Sequence, residues 1–537
     1  MLAAARRSGG AHVQEVHAPR GSREVKARQG RHESFRAQFR RRAFVVIYTN
    51  KCRVEEWGQP MLDLDEIQGD ILESLPKNIE NFAFFKIINT ATFKSLVSLY
   101  VAGRITTAER VHQWQLVIER RKNVGHRIFD RFQGLNLGLT KDGITQLIGA
   151  QRPKLDPAFE RGADHPETIT SLNDPPCYNW VKKFVSDRID GVFLITGPDS
   201  PSVTFHSNEL FRFLGTSIKV IYSEVGKTRP GAERGHEHFG FLDNISQPGI
   251  RSLTPALDPI LSPDDGLPGQ ELIWPGEFVF GYPGQHPEHP TKEGPPPPMA
   301  APWLRHGSYM VFRRLEQKVP EFRRFVTERA ARLGMDPRLL AARMVGRWKS
   351  GAPLELAPLR DDVGLGGDKK RNNDFEFGDD RSQRKCPYAA HIRKVNPRDD
   401  TASKAEVQRH RIIRAGIPFG PEVAPGETTT SKSRGLMFVC YQTSIERQFE
   451  FIQSHYANDP DFVDRKRRPG GGVVTPGFDP IIGQAAGNDA REMDEPFPNY
   501  PAGDRRTTLD MPNQFVVLTA AAYFFMPSIT ALRTVLT

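Results

Sequence analysis

"GFLDNISQPGI", residues 240–250, sets an acid inside a stretch otherwise suited to turn: Asp243 follows Leu242, and Gln247-Pro248-Gly249 comes soon after. By local chemistry this is an Asx-turn, in which Asp243 caps nearby backbone while Asn244 or Gly249 supplies a left-handed residue. Upstream, "NFAFFKI" (81–87) and "GVFLITG" (191–197) read as buried strands. Residues 107–122 predict a helix, 138–149 a short helix opened by Thr140, and 207–225 a helix followed by a strand. Downstream, the Pro- and Gly-rich residues 255–300 read as an irregular crossing between domains that holds one strand, "EFVFGYP" (277–283). A second unit follows. "GSYMVFRRLEQ" (307–317) is a strand, a helix then runs to Gly334, and Asp336 caps another with Pro337 at its first position. "GLMFVCYQ" (435–442) is a strand whose exit, Thr443-Ser444-Ile445-Glu446, reads as a capping box. The chain ends in "QFVVLTAAAYFFMPS", which predicts paired strands. Helices and strands mix without the βαβ rhythm of a parallel sheet, so the fold class is α+β.

The chain has 537 residues, 38% of them hydrophobic, with 34 Phe, which is ample for more than one domain core. Its net charge of +10 is concentrated in a tail, because residues 1–42 carry eleven Lys or Arg against three Glu. The near-neutral remainder argues against a nucleic-acid partner. The tail lacks the apolar core of a secretory signal, which by itself points to the cytoplasm. No apolar run approaches membrane-spanning length. Four scattered Cys form no CxxC pair, no CxxCH haem attachment and no disulfide framework.

Three segments hold candidate chemistry. Besides Asp243 there is "KCPYAAHIRKVNPR" (385–398), with His391 between small residues and a basic run, and "HRIIRAGIPFGPEV" (410–423), with Arg414 after two Ile. Singly, the His reads as a satisfied polar group and the Arg as a snorkelling side chain. Together they resemble the dye-decolourising (DyP-type) haem peroxidases, in particular fungal members, whose GxxDG, proximal-histidine and distal-arginine segments they match in order. The resemblance extends through "IQGDIL" (67–72), "RGLMFVCYQTSIERQFEFIQ" (434–453), "FDPIIGQ" (478–484) and "YFFMPS" (523–528). It covers roughly residues 62–537.

The resemblance implies two ferredoxin-like domains, expected at 62–265 and 266–537 after a basic tail over 1–61, with one haem b in the C-terminal domain. It implies His391 as axial iron ligand and Asp243 as distal acid/base, with Arg414 as distal cation. The imidazole's second nitrogen then needs a fixed acceptor, which the segment does not identify. Arg393, Lys394 and Arg398 suit the haem propionates, although a solvated charge run is an equal reading for each. Asn244 stands where the family motif has Gly, and Asn tolerates the left-handed turn next best, so it is expected to hold Asp243 beside the cofactor. Cys386 is a competing thiolate ligand. Where some fungal relatives carry redox-active Tyr and Trp, this chain has Phe419 and, nearby, Tyr456; Tyr456 is the expected surface oxidation site, with an ordinary packed tyrosine the other reading. The implied partners are hydrogen peroxide and aromatic reductants, acting on a monomer or homodimer. The alternative is a haem-binding or haem-handling protein without turnover. Fungal relatives are often secreted, which the absence of a signal does not match.

Overall fold

Strand β1 (Ile79–Ile87) carries Phe82, Phe84 and Phe85 with hardly a polar break, and both of its faces are covered. The computed structural model describes residues 61–123, 132–401, 403–463, 474–485, 491–495 and 507–537. β1 belongs to one nine-stranded sheet with β2 (Gly134–Leu139), β3 (Gly191–Gly197), β4 (Ile218–Lys227), β5 (Ser308–Gln317), β6 (Ile413–Arg414), β7 (Ile417–Phe419), β8 (Gly435–Gln442) and β9 (Val516–Met526). The N-terminal strands run β4-β1-β3-β2 and the C-terminal strands β9-β5-β8, with β6 and β7 as two pieces of one interrupted strand on the far edge of β8. Each half is thus antiparallel, in the strand order of a ferredoxin-like sheet.

Single residue pairs, Leu139 with Phe525 and Gly226 with Phe419, join the two sheets into a closed ring. Gly226 permits the second seam, because a Cβ there would lie 2.3 Å from Ile417 Cγ2. Strand alternation then sorts the apolar residues. Phe82 and Phe84 point into the ring, where Phe84 meets Phe312 of β5 at 5.0 Å between ring centroids. Phe85, Phe193 and Tyr523 point outward, to a layer that includes α2 (Ser200–Leu214 below). Burying each of these rings stabilises the fold by about 1.5–3 kcal/mol.

α1 (Ala108–Asn123) and α2 (Ser200–Leu214) lie in the N-terminal half. α3 (Val319–Leu333) ends at Gly334 in a left-handed conformation, and Asp336 caps α4 (Pro337–Val345) through the Arg338 N–H. α5 (His391–Val395) is a short turn of helix. The expected domain division near residue 265 falls in the irregular crossing between β4 and β5.

Three local readings differ from the structure. "EFVFGYP" is no strand: the N–H groups of Phe278 and Val279 both turn back to Pro275 O, and the buried apolar side chains pack from a 3₁₀ turn. The C-terminal apolar run is one long strand, β9, paired along β5 with a bulge between Leu518 and Ala520. The cap after β8 is Ser444 rather than Thr443, since the Thr443 hydroxyl is drawn to Gly276 O. Apart from Met61, the basic tail expected at 1–61 lies outside the described residues. No helix among the described residues is long and apolar enough to cross a membrane.

Candidate active site

α5 opens at Ala390, whose carbonyl accepts the N–H groups of Arg393 and Lys394. The basic run pins this helix from behind. Arg393 is fully buried, with Nε 2.5 Å from Asp400 Oδ2 and Nη1 2.5 Å from Cys386 O, its guanidinium lying over the Tyr388 ring. Burial opposes its charge, but Asp400, with Cys386 and Asp380, outweighs this, so its pKa stands above the ordinary value. Lys394 Nζ donates to Asp459 O at 2.6 Å and to Phe462 O. Neither Arg393 nor Lys394 lines the cavity that His391 faces.

His391 Nδ1 lies 2.8 Å from Asp479 Oδ2, a carboxylate with no solvent exposure. The other oxygen of Asp479 accepts the N–H groups of Ile481 at 2.8 Å and Ile482 at 3.0 Å. A carboxylate so held can only accept from the imidazole, so Nδ1 carries the hydrogen and Nε2 keeps its lone pair. This is the acceptor that "KCPYAAHIRKVNPR" does not contain. It sits in "FDPIIGQ", where Asp before Pro followed by two N–H donors is the only sequence sign of it.

On the distal side, half-buried Glu237 seats the turn by accepting from the Phe239 N–H at 2.9 Å and the Phe241 N–H at 2.8 Å. Asp243 N then donates to Gly235 O at 3.0 Å, and Asp243 Oδ1 accepts from Asn244 N at 2.6 Å. Asn244 has φ of 62°, the left-handed conformation its side chain suits. Arg414 Nη1 lies 4.0 Å from Asp243 Oδ1, and its Nη2 donates to Ser246 O at 3.3 Å.

His391, Asp243, Asn244 and Arg414 all border one cavity of about 530 Å³, walled by apolar side chains such as Leu436, Phe438, Ile452 and Leu518. Buried guanidiniums also line it; Arg229 and Arg313 are paired with Glu422 and Asp174, whereas Arg347 and Arg398 are held by neutral oxygens. Arg347 donates to Gly351 O, Asn372 O and Asn373 Oδ1; Arg398 donates to the carbonyls of Asn373 and Phe375 and to Asn373 Oδ1. Neither has a carboxylate within salt-bridge distance among the described residues. Burial, with Arg398 and Arg414 nearby, lowers Arg347 to about 9. Burial lowers Arg398 to about 10, Glu376 opposing and Arg411 adding to the shift. Uncompensated buried cations at a cavity wall call for an anion. A flat, largely apolar dianion with a metal open to an imidazole meets all of these demands, so the residues present fit a haem. Arg398 belongs to the expected basic run; Arg347, in "VGRWK", carries no sequence signal.

Two expected groups lie elsewhere. Cys386 is buried in an apolar cluster and does not itself border the cavity, and burial pushes its thiol well up. Cys386→Ser is therefore expected to leave the absorption spectrum of the haem-loaded protein unchanged. Tyr456 is not at the surface: it is 5% exposed, its ring stacks on Phe462 at 4.0 Å, and burial raises its phenol. The helix that carries it (Ile452–Ala457) turns this face toward Phe451 and His410 rather than to solvent. Phe419 is likewise buried, inside the ring.

Residues 66–230 match the family model of the DyP dimeric alpha+beta barrel domain, and residues 296–472 that of the Dyp-type peroxidase C-terminal region. The chain is 37% identical over 492 residues to dye-decolorizing peroxidase msp1 of Mycetinis scorodonius, covering 88% of each. It is 35% identical to dye-decolorizing peroxidase AauDyP1 of Auricularia auricula-judae, covering 88% of this chain and 86% of that one. Among solved structures, an ancestral D-type dye decolorizing peroxidase superposes with a TM-score of 0.75 at 38% identity, covering 89% of this chain and all of that one. A dye-decolorizing peroxidase in complex with 2,6-dimethoxyphenol superposes at 0.73 with 33% identity, over 89% of this chain and all of that one. With two family domains in order, one closed α+β ring and a haem-sized cavity between an imidazole and an acid–guanidinium pair, the chain belongs to the dye-decolourising peroxidases, a family of haem enzymes.

Proposed function

We propose that this chain binds one haem b in the described cavity, reduces hydrogen peroxide, and oxidises dyes, phenols and other aromatic donors. The observation that carries the reading is the single cavity bounded by His391, its Nδ1 tied to Asp479, and by Asp243 and Arg414, whose charged groups are 4.0 Å apart. The haem would supply the iron at which peroxide is cleaved and the oxidising equivalents that donors consume.

The chain's own residues do the rest. His391 would hold the iron through Nε2, and Asp479, by holding the Nδ1 hydrogen, would strengthen it as a donor. Arg347 and Arg398 would hold the propionates, a pairing that relieves the two buried cations. The Asp243 carboxylate accepts a proton from one peroxide oxygen and returns it to the other, a role worth about 10²–10⁴ in rate. The Arg414 guanidinium stays charged and stabilises the negative charge gathering on the departing oxygen. The similarity to a peroxidase solved with 2,6-dimethoxyphenol supports phenols as donors.

The test is an absorption spectrum of the purified, haem-loaded protein before and after hydrogen peroxide, followed by addition of 2,6-dimethoxyphenol. A Soret band with peroxide-dependent phenol oxidation is expected. A Soret band without oxidation would leave a haem-handling protein in its place.

A further inference from the structure

Arg414 sits on β6, a strand of two residues paired with β8 along one edge. On its other edge no strand pairs with it among the described residues; Ser74 Oγ reaches the Arg414 carbonyl at 3.5 Å, and one side chain meets both the N–H and the carbonyl. Gln247 Oε1 accepts the Arg414 N–H at 3.2 Å, while Gln247 Nε2 donates to Arg414 O at 2.5 Å. The same Nε2 donates its second hydrogen to Asn244 Oδ1 at 2.5 Å. Asn244 N in turn donates to Asp243 Oδ1 at 2.6 Å. A continuous chain of hydrogen bonds therefore runs from the Asp243 carboxylate through Asn244 and Gln247 to the Arg414 backbone. Gln247 is itself anchored, since its carbonyl accepts from Gln270 Nε2 at 3.2 Å.

We propose that Gln247 is the positioning residue of the distal pair: its amide clamps Arg414 to the Asp243 turn and sets the distance between carboxylate and guanidinium. Resting on the peroxidase reading above, the inference adds a residue outside the cavity, since Gln247 does not border it and acts only through Asp243 and Arg414. Asn244 gives the clamp its second arm. A Gly at that position, as in the motif this chain departs from, has no side-chain oxygen to receive Gln247. A misplacement of about 1 Å at such a pair costs about 10²-fold in rate.

The test loads Gln247→Leu and Asn244→Gly with haem and reads two quantities on the ferric protein: the dissociation constant for azide, and the stopped-flow rate constant with hydrogen peroxide. Azide needs no turnover and reports whether an anion above the iron still finds Asp243 and Arg414 in place. Gln247→Leu is expected to keep the Soret band while weakening azide binding about tenfold and slowing the peroxide step about tenfold to a hundredfold. Asn244→Gly loses one arm, and is expected to show the same changes at about threefold to tenfold, the net worth of one hydrogen bond. A clamp serving stability alone would lower the melting temperature of Gln247→Leu and leave both constants at parental values, which overturns the proposal. Should Gln247→Leu not load haem, Gln247→Asn, one methylene too short to reach Arg414, is read by the same two constants with the same outcomes deciding. Asp243→Asn and Arg414→Leu run beside them. If these are impaired and the Gln247 variant is not, the clamp alone is wrong; if they too match the parent, the distal pair falls and the clamp with it.

Discussion

His391→Ala is expected to abolish stable ferric haem binding or to shift its ligation, the largest effect of any single change in this chain. His391 is the imidazole that borders the cavity with one nitrogen tied to a buried carboxylate and the other unbonded among the described residues. Asp479→Asn is expected to act in the same direction at smaller size. An amide cannot accept from His391 and from the Ile481 and Ile482 N–H groups at once, as the carboxylate does. Loss of such an outer partner typically costs about tenfold to a hundredfold in metal affinity. Haem titration of the apoprotein, with the Soret maximum followed, measures both. A parental spectrum in His391→Ala would move the ligand elsewhere and remove the assigned role of this helix.

The second large effect concerns peroxide. Asp243→Asn and Arg414→Leu should each retain haem, since neither touches the His391–Asp479 pair, yet each should slow the reaction with peroxide by about two orders of magnitude or more. The two losses should be less than additive in the double variant. Both groups act on one transferring proton and one developing charge, and their charged atoms are 4.0 Å apart. Stopped-flow mixing of ferric protein with hydrogen peroxide checks it, and parental rates in both single variants would exclude the pair.

Much of the site was legible because it is built from short-range features. Asp243 reads as a turn-capping acid and Asn244 as a left-handed residue from their neighbours alone, and the φ of 62° agrees with that reading. Resemblance singled out His391 and Arg414 within their segments, and both border the same cavity as Asp243. The basic run after His391 was where local reading failed. Arg393 and Lys394 face Asp400 and the carbonyls of Asp459 and Phe462, while Arg398 and the unheralded Arg347 turn to the cavity. Tyr456 illustrates the same limit: a tyrosine on an amphipathic helix gives no sign of which face packs.

By itself the sequence determined the α+β class, the strands Ile79–Ile87, Gly191–Gly197, Ser308–Gln317 and Gly435–Gln442, and the caps at Thr140, Asp336 and Gly334, since each depends on residues within a turn or two. Only the tertiary structure decided that two ferredoxin-like sheets close into one ring, through seams of one residue pair each. It also decided that Asp479, 88 residues from His391, is the imidazole's acceptor, and that Gln247 reaches Arg414 across 167 residues. The reason is physical. Periodicity and capping are set by bonds along the chain, whereas the partner of a charged or amide side chain is set by which distant surfaces are pressed together when the apolar faces are buried.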